Sequence, residues 1–284
     1  MFKKLLKYDM KAIWNVWWIL AVSVLGVSTV AAFLLRFVIR NITDPTLSFP
    51  TSIAMLVLFL LFMGIFMSIL VTELLVHFRF YKNFYTDEGY LTFTLPTSRK
   101  MLLASKAVNA LIWECLHLVL YLICALIFFV ISPPPADGGV FNPVVFERIG
   151  SFFSAFWGNH GAWTLLYALE VLLLTLLSGC FSISLIQFCI TVGSVIAKKM
   201  KLLAAIGIYY LVNMVLSFLF EFVFVFGGIS LVDGMIMLLA DANPFVNHMA
   251  ISVALLCGCA ITATLACTFY CMTLSKLERK LNLA

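Results

Sequence analysis

Glu73 and His77, four residues apart, and Glu114 and His117, three apart, are the side chains whose types and spacing could do chemistry. Each pair shares one helical face, and two carboxylates with two imidazoles form a ligand set that helical bundles use to hold a metal ion. Such a dinuclear site needs further carboxylates from other helices, and nothing in the sequence turns the two faces toward each other. The competing reading is electrostatic: both acids pair with basic groups close by, where His77, Arg79, Lys106 and His117 are available. Glu170 and Glu221 are further acids in apolar surroundings. They line a polar path or reach a nearby aqueous boundary, and both readings stay open.

The elements that must position these groups are membrane spans. Of 284 residues, 64% are hydrophobic and 11% charged, with a mean hydropathy of +1.11, whereas soluble chains have about 45–50% apolar and about 25% charged residues. This is the composition of an integral membrane protein. Spans of about 20 residues each use up most of the length, so residues 1–284 read as a single polytopic transmembrane domain. The net charge of +5 is distributed as membrane topology requires, and nucleic acid is not an expected partner; the lipid bilayer is. All eight cysteines lie in apolar stretches, where they read as packing residues rather than as a disulfide framework or zinc site.

The hydropathy pattern predicts an all-α protein with six spans, at about Trp17 to Val38, Thr51 to Val76, Ala107 to Ile131, Thr164 to Val192, Leu202 to Phe226 and Ala250 to Thr273. Residues 1–14 place Phe2, Leu5, Leu6, Met10 and Ile13 opposite Lys3, Lys4, Lys7 and Lys11, the pattern of an amphipathic helix in the membrane interface. The apolar run after it is too long for a signal peptide. Basic residues gather at the N-terminus, in the stretch between spans two and three (Arg79, Lys82, Arg99, Lys100, Lys106), between spans four and five (Lys198, Lys199, Lys201) and at Lys276, Arg279 and Lys280. That leaves Arg36, Arg40 and Arg148 of the eighteen for the other side. Both termini are therefore expected to be cytoplasmic. The connection over residues 132–163, rich in proline, glycine and aromatics, reads as a partly helical outer cap. Ala250, Ala254, Gly258, Thr262 and Ala266 in span six form a small-residue stripe suited to close helix packing.

The long polar interruption, residues 78–106, lies on the positive side. Its aromatic first part, Phe78 to Tyr85, continues span two or follows the interface. Thr86-Asp87-Glu88-Gly89 predicts the start of a short helix, with Thr86 as cap and the acids complementing the helix dipole, and Pro96 ends or turns it. A short helix exposing Tyr90, Leu91 and Phe93 suits docking in a partner's groove. The alternative is a surface hairpin whose aromatics rest on headgroups.

The run Asp87-Glu88-Gly89-Tyr90-Leu91-Thr92-Phe93-Thr94-Leu95-Pro96-Thr97-Ser98-Arg99, followed by Leu102 to Lys106, resembles the cytoplasmic signature of type-2 ABC transporter permeases. The wording is similar to permease subunits of Firmicutes such as clostridia, and the six-span layout with its N-terminal helix resembles that family too. Tyr90 stands where threonine is common and Ser105 where glycine is common. The resemblance implies the membrane subunit of an exporter in the bacterial cytoplasmic membrane. Asp87 to Leu95 would be the coupling helix, with Asp87, Glu88, Gly89, Tyr90, Leu91, Phe93, Leu95, Pro96 and Arg99 contacting an ABC ATPase subunit. A smaller second contact would lie near Ala197 to Lys201. A second permease chain, identical or a sister subunit, is implied as partner.

No Gly-x-x-x-x-Gly-Lys-Ser/Thr loop occurs in the sequence, so ATP is expected to be bound by the partner; in the permease reading the chain has no catalytic residue, metal or cofactor of its own. Two rival readings stand beside the permease. One is an intramembrane metal-dependent enzyme using Glu73, His77, Glu114 and His117; the other is a membrane sensor or immunity component that does not transport.

Overall fold

A computed structural model of the chain describes residues 2–42, 44–133, 143–197, 199–223 and 244–279. The described residues are helical throughout, without strands. The elements are α1 (Phe2–Asn41), α2 (Ser48–Tyr85), α3 (Asp87–Phe93), α4 (Arg99–Ile131), α5 (Pro143–His160), α6 (Trp163–Ile196), α7 (Lys201–Val223) and α8 (Pro244–Arg279). Six of them, α1, α2, α4, α6, α7 and α8, are long and apolar enough to cross a membrane. The chain is thus an all-helical, multi-pass membrane protein. Positions 134–142 of the connection between α4 and α5, Lys198, and the last residues of the fifth expected span lie outside the described residues.

Where the sequence suggests an interface helix followed by a span, α1 is one uninterrupted helix of 40 residues. At 1.5 Å per residue it is about 60 Å long, twice the roughly 30 Å of hydrocarbon it must cross. Its buried positions Asp9, Ile13, Trp17, Ala21, Val24, Ser28 and Ala31 recur every three or four residues, with Ala32 beside the last and Val38 two turns on. A single packing face therefore runs through both segments, and no residue between them breaks the helix. Between α1 and α2, a 3-10 turn at Pro45–Leu47 is capped by Asp44, which accepts from the Thr46 hydroxyl at 2.7 Å and its amide at 2.9 Å. Those bonds, the hydroxyl's first, hold the Asp44 carboxyl below the usual carboxylate range.

The chain forms two compact units. One comprises Lys3–Phe78 and Val108–Asn159; the other holds Arg79–Ala107 and the chain from His160 onward. In the first unit α1 meets α4 through tryptophans: Trp17 lies 5.5 Å and Trp14 6.3 Å, between ring centroids, from the buried Trp113. α2 meets α4 through the stacked Phe62–Phe128 pair and a hydrogen bond of 2.7 Å between Ser68 and Tyr121. Tyr121 also donates to the Ile65 carbonyl at 3.1 Å, a satisfied polar contact of the kind that joins helices in lipid.

In the second unit α6 is the central element. Leu185, Phe188 and Cys189 are buried among Phe181, Val192, Ile208, Tyr209, Val212 and Phe269. Gly193 brings α6 and α7 together, because a Cβ there would lie 2.5 Å from the Ala205 amide nitrogen. Besides Leu277 in its last turn, the buried positions of α8 are Ser252, Cys259, Ala266 and Thr273. They stand seven residues apart, the repeat of a left-handed seam. The small-residue stripe read from the sequence shares only Ala266 with this buried set, and Ala254 is exposed. The reason is periodicity: a four-residue repeat drifts around a helix, whereas a seven-residue repeat stays on one side. Membrane-facing surface is extensive, with 28% of the apolar window buried in α1 and 6% in α7.

Candidate functional site

The interruption between the second and third spans forms a small platform. α2 continues through Phe78 to Tyr85, so the aromatic stretch extends the span. Phe80, Phe84 and Tyr85 are buried, and α3 follows after Thr86. Thr86 has the extended backbone of a cap residue, but its side chain makes no capping bond. Instead the hydroxyl donates back to the Lys82 carbonyl, the competing bond that short hydroxyl side chains make within helices. Asp87 and Glu88 in the first turn complement the helix dipole, and Glu88 pairs with Lys82 at 2.7 Å on the exposed surface. The next helix is capped by Ser98, whose hydroxyl accepts from the Met101 amide at 3.3 Å.

Gly89 fixes the approach of α3. It is the buried residue of the helix, and a Cβ at its position would fall 2.7 Å from the carbonyl oxygen of Phe84. Phe93 turns inward as well, half-buried, with its ring edge-on to Phe84 at 5.5 Å and the Arg99 guanidinium 5.7 Å over its face. Phe93 therefore differs from its expected role as an exposed docking residue: α3 is only seven residues long, and its single inward face is filled by Gly89 and Phe93. What faces outward is Tyr90 (66% exposed), Leu91 (68%) and Leu95 (42%), beside Asp87, Glu88 and Pro96.

Three hydrogen-bonded contacts attach this platform to three spans of its own unit. The Tyr85 hydroxyl donates to Thr191 Oγ1 on α6 at 2.7 Å, and Thr191 donates onward to the Gln187 carbonyl. Lys201 at the start of α7 donates through Nζ to the Tyr85 carbonyl at 3.2 Å. Arg99 Nη1 reaches the carbonyls of Leu277 and Glu278 in the last turn of α8, at 2.5 and 3.0 Å. These are carbonyls that a helix leaves without intrahelical partners, and a cation is favoured there. Arg99, which the resemblance placed at the partner contact, directs its guanidinium to carbonyls inside the chain, and Lys201 of the expected second contact directs its ammonium to another. Met200 beside it is 64% exposed. Tyr85, Thr191 and Gly193 were missed by sequence reading; Gln187 and Thr191, polar and one turn apart in an apolar helix, were the available signal.

The remaining candidates separate. Glu73 and His77 meet at 3.1 Å along α2. His117 is buried on α4 and accepts the Trp17 indole N–H through Nδ1 at 3.1 Å. Among the described residues, no group of three or more His, Cys, Asp or Glu side chains is placed to hold a metal ion. Glu170 is 2% exposed between α6 and α8, where the Ser252 hydroxyl donates to Oε1 and Oε2 has no partner among the described residues. One turn away Tyr167 meets His248 Nδ1 at 2.8 Å. Glu221 is exposed near the end of α7, so the two acids do not share one environment.

No protein-family model matches this chain, and no curated protein or solved structure matches it at a significant level.

Proposed function

We propose that the chain is the permease subunit of an ATP-driven exporter of the type-2 ABC kind in the bacterial cytoplasmic membrane, with α3 docking a separate ATPase subunit. The observation that carries this reading is the two-sided character of α3. Its inner face, Gly89 and Phe93, packs on Phe84 and under Arg99, on a base that Tyr85 of α2 and Arg99 of α4 bond to α6, α7 and α8, while Tyr90, Leu91 and Leu95 stand out from it. An exposed apolar tip on a hydrogen-bonded base is what groove docking requires, and a displacement of the tip is handed to three spans at once. The chain supplies no ATP site, catalytic residue or cofactor of its own in this scheme. Nucleotide-driven closure of the ATPase pair biases the spans between two states, and the spans bias nucleotide binding in return. A second permease chain, identical or related, completes the pathway.

The test is a mild-detergent pull-down of the tagged chain from its host. A phosphate-loop ATPase is expected with the wild type, and its recovery falls about tenfold or more when Tyr90→Asp and Leu91→Asp are combined, as for loss of interface anchors. Recovery of the chain without an ATPase, or undiminished recovery with the double variant, sinks the proposal.

A further inference from the structure

The outward stripe of α1 is basic at its N-terminal end and aromatic where the apolar run begins. Taking 100° per residue, Lys3, Lys7, Lys11, Trp14 and Trp18 fall within an arc of about 80°, with Lys4 at its edge. All six are exposed, and Tyr8 beside them is 69% exposed. None of the four lysines forms an ion pair among the described residues. The one acid of this segment, Asp9, is buried on the opposite face with Ile13 and Trp17. The outward charge is thus wholly positive, and it runs directly into two tryptophans at the depth where the apolar part of the helix begins.

We infer that this stripe binds the headgroups of anionic phospholipids. Tryptophans of this exposure sit at headgroup level. Along the axis, Lys11 is then about 5 Å, Lys7 about 10 Å and Lys3 and Lys4 about 15–17 Å beyond Trp14. The long stems of Lys11 and Lys7 reach back to phosphate groups, whereas Lys3 and Lys4 feel the membrane charge across one to two screening lengths of roughly 8 Å. Charge complementarity and continuity with the tryptophan pair select a lipid rather than a protein as occupant. The contributions are graded by depth: strong for Lys11 and Lys7, weak for Lys3 and Lys4.

Native mass spectrometry of the purified full chain, titrated with phosphatidylglycerol and phosphatidylcholine at equal concentration, tests this independently of the ATPase. The wild type should retain phosphatidylglycerol about fivefold or more over phosphatidylcholine, the scale of one lysine near an anionic surface. Combined Lys7→Gln and Lys11→Gln should remove most of that preference, Lys3→Gln with Lys4→Gln a minor part, and Lys199→Gln with Lys276→Gln none. Equal retention of the two lipids by the wild type overturns the inference. So does a preference that survives Lys7→Gln/Lys11→Gln, or one that falls equally with Lys199→Gln/Lys276→Gln. Loss of a co-purifying protein from Lys7→Gln/Lys11→Gln with lipid preference intact would assign the stripe to an acidic protein partner instead.

Discussion

Gly89 has no room for a methyl group, because a Cβ there would fall 2.7 Å from the Phe84 carbonyl oxygen. Gly89→Ala must push α3 off its base, and we expect a loss of about 1–3 kcal/mol, the usual result of forcing a methyl into a filled site. Gly26→Ala and Gly64→Ala, where a Cβ meets nothing within 4 Å, should instead be neutral or gain up to about 1 kcal/mol of helix propensity. Unfolding in detergent followed by tryptophan fluorescence separates the two outcomes. A second residue pair is decided by burial. Ser252→Ala strips the donor from a carboxylate that is 2% exposed, at a cost of about 1–3 kcal/mol. Glu170→Gln keeps an acceptor for Ser252 at nearly the same shape, so it should be the milder change in the same assay. The reverse order would show that Glu170 and Ser252 do not support each other.

At the scale of elements, α3 divides its residues between two tasks, and variants should divide with them. Phe93→Ala empties the contact under Arg99 and against Phe84, so it should loosen the helix and increase proteolysis between residues 86 and 98. Tyr90→Ala and Leu91→Ala should leave that proteolysis at the wild-type rate while weakening the partner complex. Equal sensitivity of all three variants would mean that α3 has no inner and outer face. The existence of α3 was legible in the sequence because Thr86 with an acidic first turn marks its start and Pro96 follows its end. Its facing was not, since a helix of two turns carries too few residues for periodicity to decide which aromatic turns inward. The same holds for Arg99: the resemblance implied a partner contact, whereas its guanidinium reaches backbone carbonyls 178 and 179 residues away.

For the whole molecule, the six spans were readable from hydropathy alone, and the structure finds them close to the expected positions. The uninterrupted α1 and the seven-residue seam of α8 were not, because both depend on which neighbour a face meets, and composition does not record that. Orientation rests on the basic residues, and it makes a prediction for the intact cell. A cysteine introduced at Asp137 should react with an impermeant maleimide added outside, and one at Lys199 only after permeabilisation. The opposite pattern would invert the topology.

The small buried share of the spans has a further consequence for what denaturation means here. A helix in hydrocarbon keeps its backbone hydrogen bonds whether or not a neighbour touches it, since no water competes for them. With 6% of the α7 window buried, losing tertiary structure amounts to the drifting apart of finished cylinders within the bilayer. The entropy gained is that of rigid rods in a plane rather than of a freed chain. Far-ultraviolet circular dichroism should barely register the event, and the distance between helices is the coordinate along which this protein comes undone.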